Sequence, residues 1–233
     1  MRYNINDNDI LANCIFKTEQ AIVYSILLSE HLAFVDEYKN ILNQEECVRA
    51  DRFHFQQDGE YFIIARALLR RILAFHLEIK PEHVQFMQNT HGKPLLKNNR
   101  LHFNLTHSGD VALIAISSGR PLGIDIEKIS REVEYLELGE RFFAIEEIEQ
   151  LRLANNKQEQ AVIFFNLWTR KEAFIKAIGL GLSFSLSKFA VTGLPHTKPK
   201  FIRIDDEDFA KQDWQLHSFI PLEGYIAALA MTK

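Results

Sequence analysis

Gly123-Ile124-Asp125-Ile126-Glu127 and, further along, Trp168-Thr169-Arg170-Lys171-Glu172-Ala173-Phe174-Ile175-Lys176 are the stretches on which the reading of this chain turns. In the first, apolar and acidic residues alternate, and strand side chains alternate faces. Ile124 and Ile126 are expected to enter a core, with Asp125 and Glu127 pointing together the other way. Two carboxylates so placed repel unless a cation lies between them. Alone, the pattern equally describes a solvated strand face, since charged residues are mostly exposed. The second stretch lies in a helix predicted from about Gln158 to Ile178, ended by Gly179 and Gly181. Trp168, Glu172 and Lys176 fall at i, i+4 and i+8 and stack along one face. That face reads either as a core aromatic with a surface Glu–Lys pair, or as a third carboxylate with a cation beside it.

Working outward, each half of the chain shows a strand, then helices, then three strands. In the first half these are residues 21–28, a helix within 60–78 centred on Ala65–Leu73, and strands at 84–87, 101–106 and 111–117. In the second they are 123–127, the long helix, and 188–192, 214–220 and 225–230. The apolar spacing in each helix follows the 3.6-residue period, and the strands carry alternating runs. The expectation is an α+β protein: a pseudo-twofold arrangement of two similar subdomains, residues 1–120 and 121–233. A cleft between like halves is a natural ligand site.

The net charge of −4 argues against a nucleic-acid binder, whose affinity for phosphate backbones needs a basic excess. Cys14 and Cys47 stand in no metal or redox spacing. The polar opening MRYNINDNDI lacks the apolar run of a signal peptide, and no stretch is long enough to span a membrane. These features predict a soluble, cytoplasmic chain with no membrane partner.

Two further signals lie in the first half. In Phe103-Asn104-Leu105-Thr106-His107-Ser108-Gly109, Asn104 and Thr106 share a face, and His107 is expected to open a hairpin loop through Asp110. The segment is either a polar turn with an exposed histidine or a phosphate site of imidazole, hydroxyl and backbone N–H groups. The basic residues Arg49, Arg52, Arg66, Arg70, Arg71 and Lys93 are the second signal, with Arg71 read as a solvated helix surface. Lys93 sits in the turn His91-Gly92-Lys93-Pro94. Three carboxylates, a helix lysine, a histidine and basic residues together suit a phosphate-rich ligand with a hard cation such as Mg²⁺.

GKP (Gly92–Pro94), FNLTHSG (Phe103–Gly109), GIDIEKI (Gly123–Ile129), RFF (Arg141–Phe143) with Glu147, and WTRKEAFIKAIGLGL (Trp168–Leu182) resemble, in order and spacing, the motifs of the Sfp-type 4′-phosphopantetheinyl transferases. The resemblance spans about residues 20 to 230. It implies that fold, with coenzyme A as co-substrate between the halves and Mg²⁺ as cofactor. It implies Asp125, Glu127 and Glu172 as metal-site carboxylates, and Glu172, Lys176 and Asp125 as the catalytic set. Coenzyme A contacts are implied at Arg49, Arg52, Lys93, Pro94, Thr106 and His107. The implied reaction moves phosphopantetheine from coenzyme A to a serine of an apo acyl- or peptidyl-carrier protein, by a monomer. The alternatives are a metal-dependent hydrolase of the coenzyme A pyrophosphate and a non-catalytic coenzyme A-binding protein. The carrier's landing surface is expected after Arg141 or on the Lys171 side of the helix. Glu46 stands where a relative has lysine, Ala144 where a capping Ser or Thr is usual, and Thr106 where a serine is found.

Overall fold

A computed structural model describes residues 11–98, 100–129 and 133–233. The first half runs β1 (Cys14–Lys17), β2 (Ala21–Leu27), α1 (Val35–Lys39), α2 (Gln44–Ala50), α3 (Gln56–Leu77), the ribbon β3 (Phe86–Gln88) and β4 (Pro94–Leu96), then β5 (His102–Ser108) and β6 (Val111–Ser117). The second runs β7 (Leu122–Lys128), α4 (Tyr135–Phe142), α5 (Ile145–Arg152), α6 (Lys157–Ile178), the ribbon β8 (Phe189–Val191) and β9 (Phe201–Ile204), α7 (Glu207–Ala210), β10 (Trp214–Phe219) and β11 (Tyr225–Thr232).

The two main sheets are antiparallel, ordered β1-β2-β6-β5 and β10-β11-β7. Without β1 they are the same object twice. A strand leads to a helix of 22 residues, then a two-stranded ribbon, then a hairpin whose second strand pairs with the first strand of the half. The pseudo-twofold expectation therefore rests on topology as well as on pattern. The expected strands and both long helices are present, with ends shifted by a few residues.

Alternation along the strands builds four layers. Tyr24 and Ile26 of β2 and Ala112, Ile114 and Ile116 of β6 face α3. Ala228 and Ala230 of β11 face α6 with Phe174 and Leu167. The opposite faces meet each other: Val23, Leu113, Ile124, Ile126, Ala227 and Leu229 form one buried layer shared by the two sheets. No helix among the described residues is long and apolar enough to cross a membrane.

Local chemistry sets the ends that matter. Asn156 caps α6 by accepting from the Glu159 N–H, and Gly179 ends it at φ 71. The β5–β6 connection is only Gly109–Asp110, with Gly109 at φ 52. His107 therefore does not open the loop as expected. It is a strand residue opposite Ala112, because the glycine makes a two-residue turn sufficient.

Candidate active site

The edge strands β5 and β7 lie side by side but form no backbone ladder with each other. Side chains of β5 close the seam instead. Asn104 Oδ1 accepts from the Ile124 N–H at 2.8 Å, and Ser108 Oγ accepts from the Lys128 N–H at 3.1 Å. Ser108 also donates to Glu127 Oε2 at 3.0 Å. Between them, Thr106 Oγ1 donates to Asp125 Oδ1 at 3.4 Å and accepts from Lys176 Nζ at 3.1 Å.

On the other side, β7 presses against α6. A Cβ on Gly123 would lie 2.1 Å from the Ala173 carbonyl oxygen and 2.3 Å from the Ala177 nitrogen, so no side chain fits there. This contact brings the two quoted stretches together. Asp125 and Glu127 do point away from the core that holds Ile124 and Ile126. Their face is not open water, however, because α6 covers it. Asp125 is 3% exposed, Glu127 and Glu172 are half-buried, and Lys176 Nζ lies 2.5 Å from Asp125 Oδ1.

Burial is the largest cause holding the Asp125 carboxyl above its usual range, with the Lys176 charge opposing it. Burial also raises Glu127, and the Asp125 charge adds to it. Glu172 is raised by burial and then by Asp125. The three carboxylates therefore sense one another. Asp125 Oδ2 is buried without a hydrogen-bond partner, and no described residue hydrogen-bonds Glu172. An orphaned carboxylate oxygen beside two repelling carboxylates is a donor set that suits a hard cation. Among the described residues, no three or more Asp, Glu, His or Cys side chains stand close enough together to hold a metal ion as they are placed.

One cavity adjoins this centre, and a second meets the first at Pro94. The first, of about 320 Å³, is lined from both halves by Lys93, Pro94, Asn104, Glu172 and Lys176. The second, of about 460 Å³, lies in the first half against Glu46, Arg49, Phe62, Arg66 and Phe86. Arg49 stacks 5.1 Å from the Phe62 ring centroid, and Arg66 4.1 Å from that of Phe86. The side chain of His107 is exposed, yet partial desolvation lowers its imidazole pKa and the Lys176 charge lowers it further. Arg52 is exposed and lines neither cavity.

Several residues sit differently from expectation. Lys171 offers no landing surface. It is fully buried, with Nζ 2.7 and 2.6 Å from the two Glu147 oxygens and 2.6 Å from the Phe189 carbonyl. Arg71 is half-buried against Tyr38, not a solvated surface residue. Trp168 packs with Phe142, Phe143 and Phe164, as the core-aromatic reading had it. Glu46 is buried and accepts from Arg66 Nε at 2.7 Å and Arg70 Nε at 2.8 Å, so it neutralises much of the basic face of α3. Lys93 lines the smaller cavity, but its ammonium is turned onto backbone carbonyls. The sequence reading did not single out Asn104 and Ser108 as the seam. Their alternation with Thr106 along β5 was the available signal.

A fold of two like α/β halves, with a carboxylate–lysine centre where their sheet edges meet, defines a phosphate-handling enzyme class. The chain belongs to the 4′-phosphopantetheinyl transferase superfamily. A family model of that description matches residues 121–230, and one described as "4′-phosphopantetheinyl transferase, N-terminal" matches residues 33–119. Among relatives, 4′-phosphopantetheinyl transferase HetI of Nostoc sp. is 31% identical over 223 residues, covering 94% of this chain and 90% of that one. 4′-Phosphopantetheinyl transferase Sfp of Bacillus subtilis is 32% identical over 172 residues, covering 72% and 75%. The Synechocystis protein slr0495 is 36% identical over 154 residues; the match covers 65% of this chain and 62% of that protein.

Proposed function

We propose that this chain transfers the 4′-phosphopantetheine arm of coenzyme A to a serine hydroxyl of an apo acyl- or peptidyl-carrier protein. The observation that carries the reading is the Asp125–Lys176 pair. It has an orphaned carboxylate oxygen, stands beside Glu127 and Glu172, and lies at a cavity lined by both halves. Family membership supports it.

Coenzyme A would lie along the two cavities, with Arg49 toward its 3′-phosphate end and Pro94 between. Thr106 and His107 lie on the seam strand, and Arg52 would act only at the rim. Asp125, Glu127 and Glu172 are the residues that would hold magnesium, whose charge would offset that of the pyrophosphate. Glu172 accepts the proton of the carrier serine, for which a carboxyl held above its usual range is a better base. The serine oxygen bonds to the phosphorus nearer the pantetheine as that phosphorus loses its bridging oxygen. Adenosine 3′,5′-bisphosphate leaves, its new charge met by Lys176. The nucleophile comes from the partner, so catalysis here is positioning and electrostatics.

Mass spectrometry of an apo-carrier mixed with the protein, coenzyme A and Mg²⁺ tests the reading. A gain of the phosphopantetheine mass on the carrier serine is expected. Phosphopantetheine released to water at the same rate without carrier would instead establish a hydrolase. Binding without either product would leave only a coenzyme A-binding protein. The two halves in one chain support a monomer, which sedimentation at working concentration would check.

A further inference from the structure

We infer that Lys93 and Asn89, in the β3–β4 turn of the first half, are positioning residues that clamp the last turn of α6 and so hold Glu172 and Lys176 over β7. The inference rests on the transferase reading for its catalytic consequence, not for its geometry.

The last carbonyls of a helix have no partner within the helix, and cations are favoured there. Lys93 Nζ donates to the carbonyls of Lys176 at 2.5 Å and Ala177 at 3.2 Å, and to Leu122 at 3.1 Å. An ammonium has three donors, and these three carbonyls use them all. Leu122 opens β7, so one side chain ties together the end of α6 and the start of the strand that carries Asp125. Asn89 acts one residue further on. Its Nδ2 donates to the Gly179 carbonyl at 2.8 Å. Its Oδ1 accepts from the N–H groups of His91 and Lys93 at 2.9 and 2.8 Å, which fixes the turn that presents Lys93.

Close packing accompanies the bonds. A Cβ on Gly179 would lie 3.0 Å from Asn89 Nδ2 and 3.1 Å from Lys93 Cδ. The clamp is local in neither direction, since it joins residues 83 to 90 positions apart in sequence. The resemblance places coenzyme A at Lys93. In this geometry the stem and backbone of Lys93 line the cavity, while the charge is committed to the helix. Ligand seated against Pro94 is thus one residue from the device that fixes the catalytic side chains.

The test uses Asn89→Asp, which keeps the turn acceptor and loses the donor to Gly179, with Lys93→Met, Lys93→Arg and the Asn89→Asp/Lys93→Met double variant. Amide hydrogen exchange over residues 173–181 reads the clamp without any reaction. Faster exchange there is expected in Asn89→Asp and Lys93→Met. With carrier and Mg²⁺, kcat should fall about 10- to 100-fold in each, because small displacements of catalytic groups are costly. The calorimetric Kd for coenzyme A should stay within about threefold, and the double variant should be no worse than about the poorer single one, as for two residues holding one element. Lys93→Arg, which keeps a cation for the helix end, should recover part of kcat. Weaker coenzyme A binding by about tenfold or more in Lys93→Met, with exchange unchanged, would place Lys93 on the ligand and overturn the inference. So would independent, multiplicative losses in the double variant. If Lys93→Met does not fold, Asn89→Asp decides by the same readouts. A wild-type chain that protects residues 173–181 but transfers nothing would defeat the transferase reading and leave the clamp standing.

Discussion

α6 carries two lysines that each meet a buried carboxylate, and the two pairs are built to opposite ends. Lys171 and Glu147 are sealed: both side chains are 0% exposed. Every strong group there has a partner, since Glu147 also accepts from the Ala144 and Val191 N–H groups and Lys171 also donates to Phe189. Lys176 and Asp125 are close but unfinished. Lys176 is 27% exposed, and Asp125 keeps one buried oxygen without a partner. The chemistry is the same and the helix is the same; the difference is how many additional groups surround the pair. Completeness marks a structural pair, and an unmet buried acceptor beside an open cavity marks one kept for a ligand.

Breaking the unfinished pair should have the largest effect on turnover. Asp125→Ala should reduce transfer by about 10²–10³-fold or more, in the range for losing a charged group aimed at a reacting phosphate or oxyanion. Its melting temperature should change little. Near-normal turnover in Mg²⁺ would remove Asp125 from the metal site.

Breaking the sealed pair should act on stability instead. Lys171→Met leaves Glu147 buried without its counter-charge, which costs about 3–5 kcal/mol. For a chain of this length that lowers the melting temperature by about 6–20 °C. The double change Glu147→Leu with Lys171→Met should recover much of the loss, and turnover well below the melting temperature should persist. A fully stable Lys171→Met would show that the seal contributes nothing.

A pH comparison sharpens the contrast further. The folded state holds a proton on Asp125 at pH values where the unfolded chain has released it. There the native state binds more protons, so stability falls as pH rises above the ordinary carboxylate range. Asp125→Asn removes the Asp125 share of this dependence and lessens that of Glu127 and Glu172, which the Asp125 charge helps to raise. Without added metal, it should melt higher than the wild type at neutral pH, with the advantage shrinking as the pH is lowered toward that range. Equal melting across that window would mean that Asp125 costs nothing to keep charged.

The smallest expected effect lies beside the sealed pair. Ala144 is the N-cap of α5 and has no side-chain acceptor; only the Glu147 half of a capping box is made. Ala144→Ser should add about 0.5–1 kcal/mol by supplying the missing bond, read as a small rise in melting temperature with turnover unchanged.

Much of this was legible from period alone. The alternation of Gly123–Glu127 put the two acidic residues on one face, and i, i+4 spacing put Glu172 and Lys176 on another. What period cannot report is what lies opposite. Lys171 reads as a surface cation because its partner Glu147 is 24 residues away, and Glu46 reads as a mismatch in a basic pocket until Arg66 and Arg70 close on it from 20 and 24 residues away. Lys93 reads as a ligand contact because the carbonyls it holds are more than 80 residues distant for α6. Asp125 was placed on the correct face, but that α6 roofs this face depends on Gly123, whose missing side chain is a contact and not a pattern. The Gly109 turn, which absorbed His107 into β5, was likewise decided by two residues.

The seam between β5 and β7 has one more consequence. A backbone ladder has a single spacing, about 4.8 Å between strands, whatever residues it carries. Here Asn104, Thr106 and Ser108 bridge the strands beside the apolar layer that the two sheets share, and side-chain length is something mutation can dial. Longer or shorter polar residues at those three positions would widen or narrow the gap over Asp125 and Glu127 while leaving both sheets' own ladders intact. The edge of the join that runs alongside the chemistry is thus held by side chains, not by a backbone ladder.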